Sequence, residues 1–154
     1  MIERRTRPDG RIGNYLTGQA LPPATPRPLV SAQIGLTEDA VKRSVECWLT
    51  DQGWTVSVKW AKATGIDIDT RRGDERWIIE AKGCGSLQPM RVNYFLAILG
   101  ELLQRMSVPT ARYSIALPDM PQYRKLWARL PDLAKARAGI SALFVAEDGT
   151  ITQA

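Results

Sequence analysis

Three strand-like runs lie between residues 54 and 82, directly after a helix-like stretch, and the last two carry acidic residues in alternation. Side chains alternate between the two faces of a strand. Within residues 65–69 (GIDID), Asp67 and Asp69 therefore share one face, as do Glu80 and Lys82 within residues 77–83 (WIIEAKG). If the two runs form neighbouring strands, three carboxylates and an ammonium meet in one small region. Such a set suits a hard cation and is foreign to a hydrophobic core.

The surrounding pattern predicts an α/β fold. Thr37 is a plausible N-cap, with Glu38 and Asp39 in a favourable first turn and Val41, Val45, Trp48 and Leu49 at helical spacing. Residues 54–60 (WTVSVKW) alternate as a strand, with Trp54, Val56, Val58 and Trp60 on one face. Strands are expected over 66–70 and 76–81, joined by a tight turn at 71–75, with the second one central because it is almost continuously apolar. A second helix is expected over 92–106, burying Val92, Phe95, Leu96, Leu99, Leu102, Leu103 and Met106. A strand over 113–117, helical segments over 123–130 and 133–138, a strand over 140–146 and a short tail strand complete the order. A mixed sheet flanked by helices accommodates it.

Residues 1–33 form a separate region by composition. They hold five of the ten prolines, and residues 1–30 carry five arginines against Glu3 and Asp9. This segment is expected to be an extended arm that packs on the body, tracks a phosphate backbone or reaches a partner subunit. Residues 34–154 are expected to fold as the main domain. Of the formal charge of +5, the arm supplies +3, so the body is only mildly basic.

Composition also removes whole mechanisms. The chain has no histidine, so a histidine triad, an imidazole base and a Cys–His zinc site are all excluded. Its two cysteines, Cys47 and Cys84, are too few for a disulfide framework and suit a reducing cytoplasm. The arginine-rich start is followed by no apolar run, so neither a secretory signal nor a membrane location is expected.

Residues 36–54 (LTEDAVKRSVECWLTDQGW), 65–69 (GIDID) and 79–82 (IEAK) together resemble the PD-(D/E)XK nuclease superfamily, in particular its Mrr-like and Holliday-junction-resolvase-like branches. The resemblance spans roughly residues 36–117. It implies a restriction-endonuclease-like fold with a central mixed β-sheet flanked by α-helices. It further implies a metal-dependent DNA endonuclease, of the kind serving repair, recombination or defence. Asp67 would be the metal-binding acid of the first hairpin strand, and Glu80 and Lys82 the Glu-x-Lys half of the motif. The Ala81 carbonyl would add a metal ligand, and the metal would be Mg²⁺ with Mn²⁺ as a substitute. A catalytically silent nuclease-fold module that binds nucleic acid or another protein is the alternative.

The chemistry of the residues agrees with that assignment. Phosphodiester hydrolysis needs charge neutralised at phosphorus and a water made more nucleophilic. Asp67 and Glu80 offer carboxylate oxygens to Mg²⁺. Lys82 can orient the water, lower its pKa or stabilise the developing oxyanion; as an ammonium it cannot accept a proton. Relatives also supply a helix Glu. With Val41 at zero and about 100° per residue, Glu38 falls near 60°, beside the buried stripe, and Glu46 near 140°. Glu38 is therefore favoured as a further catalytic and metal residue. Asp69 is expected in the metal shell, in a pair with an arginine, or facing solvent.

Nucleic-acid contacts are expected from Arg71, Arg72, Ser86, Gln88, Arg91 and Tyr94, with Lys59, Lys62 and Arg76 as a basic rim. A charged hairpin surface and ordinary helix capping are the bland readings of the same residues. Gly83 and Gly85 either bare backbone amides to phosphate or simply end the strand, and Cys84 is expected to pack. No recognition helix is evident, so DNA is expected to be read by backbone or structure. A homodimer would set two such sites on one duplex.

Overall fold

The computed structural model describes the backbone of Ile2–Thr6 and Ile12–Leu16, and residues 35–61 and 63–154. The proline-rich run at 22–28 and Lys62 lie outside these residues. The chain divides into two units, Met1–Gln33 and Ile34–Ala154. In the first, part of the expected arm is paired. Strand β1 (Ile2–Thr6) runs antiparallel to β2 (Ile12–Leu16), with Ile2 opposite Leu16.

The second unit runs α1 (Glu38–Asp51), β3 (Thr55–Val58), β4 (Ile68–Arg72), β5 (Glu75–Ala81), α2 (Gln88–Arg105) and β6 (Arg112–Pro118). It continues through α3 (Pro121–Ala128), α4 (Asp132–Ala138), β7 (Ile140–Val145) and β8 (Ile151–Gln153). Its six strands form one open sheet in chain order. Strands β3, β4 and β5 make an antiparallel meander, β5–β6 and β6–β7 pair in parallel, and β8 returns antiparallel. Each parallel step needs a crossover, and α2 and then α3–α4 supply them. This mixed sheet flanked by four helices is consistent with a restriction-endonuclease-like fold.

Alternation along β5 divides the core into two layers. Trp77, Ile79 and Ala81 pack with Val41, Val45 and Leu49 of α1. Ile78 faces the opposite way, onto Phe95, Ile98 and Leu102 of α2. Both faces of β5 are covered, as its apolar run requires. Trp77 meets Trp48 and Trp54 edge-on at centroid distances of 6.0 and 5.7 Å, and its indole N–H donates to Ser114 Oγ at 2.8 Å. That bond matters because an unpaired buried N–H costs about 1–3 kcal/mol. Thr37 caps α1 by accepting from the Ala40 N–H at 3.2 Å. Among the described residues no helix is long and apolar enough to cross a membrane.

Three expectations shift. Helix α2 begins at Gln88, before the expected Val92, because Pro89 fits the first helical turn, where a missing N–H costs nothing. Only Phe95, Ile98 and Leu102 of α2 are fully buried, while Val92, Leu96 and Leu103 are exposed. The helix is apolar over more of its circumference than the sheet can cover. Finally, β3 stops at Val58, and Trp60 is exposed beyond it, under the Arg43 guanidinium.

The rotation of α2 yields a stability prediction. Ile98→Ala should lower the unfolding free energy in urea by about 2–5 kcal/mol, whereas Leu96→Ala should change it by about 0.5 kcal/mol or less. Comparable losses from the two would place the buried stripe of α2 elsewhere.

Candidate active site

The β4–β5 register sets the site. Ile68 stands opposite Ile79, so one step further Asp67 comes level with Glu80, just before β4 begins. The Asp67 carboxylate supplies the bond that strand backbone would otherwise make. Its Oδ2 accepts from the Ala81 N–H at 2.9 Å. Glu80 lies between Ile79 and Ala81, both turned to α1, so its side chain points to the α2 layer. Lys82 follows with the same orientation.

These side chains meet helices on both sides. Glu38 and Asp67 grip the Lys42 ammonium at 2.8 and 2.7 Å, and Lys42 also donates to the Lys59 carbonyl at 2.9 Å. From α2, Arg105 donates to Glu80 Oε1 at 3.0 Å and to the Gly65 carbonyl at 2.9 Å. Lys82 Nζ lies 2.9 Å from Glu101 and 3.7 Å from Glu38. The result is a cavity of about 260 Å³ whose charged walls are Glu38, Asp67, Glu80, Lys82, Glu101 and Arg105.

The electrostatics follow from burial. Glu80 is 2% exposed, and desolvation pushes its pKa up to about 7. The Arg105 hydrogen bond opposes that rise, while the neighbouring Asp67 charge adds to it. Lys82 behaves in the opposite sense. Burial works to lower its pKa, but Glu101, Glu38 and Asp67 together outweigh burial and hold it above the ordinary lysine value. Lys42 is raised in the same way, with Asp67 and Glu38 overcoming its desolvation. Both lysines are therefore ammonium ions at neutral pH.

Asp67, Glu80, Lys82 and Glu38 are thus brought together. Asp69 is not among them. Arg76 holds it through two bonds of 2.9 and 2.7 Å, and the hydrogen bond keeps its carboxyl below the usual range. Glu46 is half-buried on α1 and lines no part of the cavity. Ala81 is buried, and its amide is committed to Asp67.

None of the six expected nucleic-acid contacts lines the cavity. Arg71 and Arg72 are exposed on β4, with Arg72 paired to Glu75 and stacked 4.5 Å over Trp54. Arg91 is used internally, donating to the Cys84 carbonyl at 3.0 Å and to Gln122 at 3.3 Å. Ser86 is exposed beside Met90, the Gln88 carbonyl accepts from Gln122, and half-buried Tyr94 lies against Gly85. Gly83 is buried, and a Cβ there would come within 2.7 Å of the Glu38 amide. It is needed for space rather than for an exposed amide.

Lys42, Glu101 and Arg105 escaped the sequence reading. Each belongs to a Glu-x-x-x-Lys/Arg spacing, Glu38–Lys42 and Glu101–Arg105, which on most helices is an ordinary surface pair. The available signal was position, since both pairs border a buried stripe. Among the described residues no group of three or more Asp, Glu, His or Cys side chains is gathered as a ready-made metal cluster. The oxygen donors that adjoin are the pair Asp67 and Glu80.

The raised Glu80 pKa has a definite stability signature. The folded state holds this proton up to about pH 7 and the unfolded chain only to the ordinary glutamate value of 4.5. Stability is therefore fully present below pH 4.5 and is lost as pH rises through 7. Glu80→Gln should remove that loss, which is on the order of 3 kcal/mol. Urea unfolding of both proteins from pH 4.5 to 8 checks it; parallel pH profiles would refute the assignment.

No protein-family model matches the chain, and no curated protein matches it. Solved structures do. An XisH family protein from Nostoc punctiforme PCC 73102 is 18% identical, with a TM-score of 0.50 over 73% of this chain and 96% of that one. An fdxN element excision controlling factor protein from Anabaena variabilis is 18% identical, with a TM-score of 0.46 over 75% of this chain and 97% of that one. What the chain shares with the Nostoc protein is its fold.

Proposed function

We propose that the chain is a metal-dependent DNA endonuclease that hydrolyses phosphodiester bonds at the Asp67–Glu80–Lys82 cavity. The observation that carries this reading is the convergence of these three residues, with Glu38, in a restriction-endonuclease-like fold. Burial first, and the adjacent Asp67 carboxylate after it, push the Glu80 pKa up to about 7, so the pair favours a bound cation. Mg²⁺ is commonly bound through one or two carboxylates together with substrate phosphates. Asp67 and Glu80 fit that pattern, and they would hold the ion. When bound, it would polarise the phosphate and make a coordinated water more acidic.

The chain's own groups divide the remaining work. Lys82 is held as an ammonium, so it orients water or stabilises charge on the phosphate and does not act as the base. Glu101 and Glu38 fix its position from two sides. Arg105 sits at the wall of the cavity, where a guanidinium suits a phosphate oxygen. DNA is bound through its backbone or its structure, since the sequence carries no recognition-helix motif for base edges.

One observation favours a second reading, a silent nuclease-fold module that binds nucleic acid or protein. Lys42 and Arg105 already pair with Asp67 and Glu80, so each carboxylate has a cationic partner within the protein itself.

Incubation with linear, nicked and branched DNA, with and without Mg²⁺ or Mn²⁺, separates the two. Metal-dependent cutting is expected, with folded Asp67→Ala, Glu80→Ala and Lys82→Ala each slower by about 100-fold or more. Undiminished cutting by all three would sink the proposed site. Binding without hydrolysis on every substrate would establish the silent module.

A further inference from the structure

We propose that the Lys42 ammonium is a built-in cation standing where a second divalent metal would bind, so that the site takes one metal ion per chain. This rests on the metal-dependent reading given above. Lys42 Nζ bridges Asp67 Oδ1 and Glu38 Oε1 at 2.7 and 2.8 Å, and its third bond goes to the Lys59 carbonyl at 2.9 Å. All three N–H groups are thereby used. Two carboxylates and a backbone carbonyl make a hard-cation donor set, and here an ammonium occupies it.

The ordinary explanation of a Glu–Lys pair four residues apart is a solvated helix contact. That explanation fails for Lys42, whose side chain is 1% exposed. Its ammonium reaches past Glu38, off its own helix, to a carboxylate at the head of β4. Burying a lysine is expensive, and an apolar residue of similar size is often the more stable choice beside a core. Here the apolar neighbours are Val41 and Val45 on the same helix. The position thus spends stability on a fixed positive charge at Asp67. Lys42 does not line the cavity, so it touches no substrate and acts as a positioning residue. It holds Asp67 and Glu38 as separate acceptors and keeps Glu38 from joining Asp67 and Glu80 around a metal.

Mn²⁺ titration without nucleic acid, read by the electron paramagnetic resonance of free Mn²⁺ and by calorimetry, tests this directly. Wild type should bind one Mn²⁺ per chain, and Glu80→Ala should lose it. Lys42→Met should bind two, and adding Glu38→Gln should return the count to one. Mn²⁺ should also raise the Tm of Lys42→Met by more than it raises that of wild type, which a merely structural lysine would not produce. Lys42→Gln is the second variant, in case the methionine variant does not fold. Two ions on wild type, or one on a folded Lys42 variant, would overturn the assignment, and the wild-type count decides alone if neither variant folds. No Mn²⁺ on wild type would overturn the metal-dependent reading itself, whereas one ion on wild type and on both variants removes only the role of Lys42.

Discussion

The Asp67 carboxylate is the joint on which this domain turns. One oxygen accepts the Ala81 amide at 2.9 Å and extends the β4–β5 hairpin past the start of β4. The other meets the buried Lys42 ammonium at 2.7 Å and ties that hairpin to α1. Each bond makes the other stronger. The amide fixes the carboxylate against rotation, and the ammonium gives its other oxygen a charge-assisted partner in a partly dry setting. Losing this one group would leave a buried ammonium with only Glu38 as an acid partner and a buried amide with no acceptor. Removing one partner of a buried pair costs about 3–5 kcal/mol. The same atoms that organise the fold are thus the first candidate ligands of the site.

The corner where the site opens follows from the alternation of β5. Trp77, Ile79 and Ala81 close the α1 layer, which leaves Ile78 and Glu80 to the other face. Ile78 is covered by the middle of α2, and Glu80 lies where α2 ends. Arg105 is in the last turn of that helix and comes down on Glu80. Its charge also favours the helix dipole there. Arg105 lowers the cost of the Glu80 charge without cancelling it, and a carboxyl at about pKa 7 is the remainder. A buried acid with a raised pKa beside a second carboxylate is a poor arrangement for stability and a good one for capturing a cation.

Much of this was legible in the chain because it is local. Thr37 as cap, the period-two runs of β3 to β5 and the spacing from Asp67 to Glu80 all follow from rules that span a few residues. Glu38 was reached by a rotation about α1. What stayed hidden depends on contacts between elements. Asp69 has the right face for the site, but Arg76 comes alongside it across the hairpin and takes both its oxygens. Arg91 looks like a free phosphate contact, yet the chain bends so that the Cys84 carbonyl lies within its reach. Leu96 and Leu103 are as apolar as Ile98, and only the position of the sheet decides which of them is buried. Lys42 and Arg105 are chemically identical to surface partners until the hairpin is folded against them.

The placement of Lys82 finally depends on an absent side chain. Its backbone N–H donates to the Ala116 carbonyl at 3.1 Å, continuing the pairing of β5 with β6. Directly after it, Gly83 slides under the start of α1, the Cys84 amide donates to the Leu36 carbonyl at 2.8 Å, and the Tyr123 hydroxyl donates to the Gly83 carbonyl at 2.8 Å. The exit of β5 is therefore clamped from the sheet, from α1 and from α3. A methyl group on Gly83 would meet the Glu38 amide at 2.7 Å, closer than a Cβ normally approaches any atom, and would push α1 away from the strand. Glu38 and Lys82 would then separate while every ionisable group of the site was still present. The pairing of these two side chains is set by backbone contact, and the single residue without a Cβ allows it.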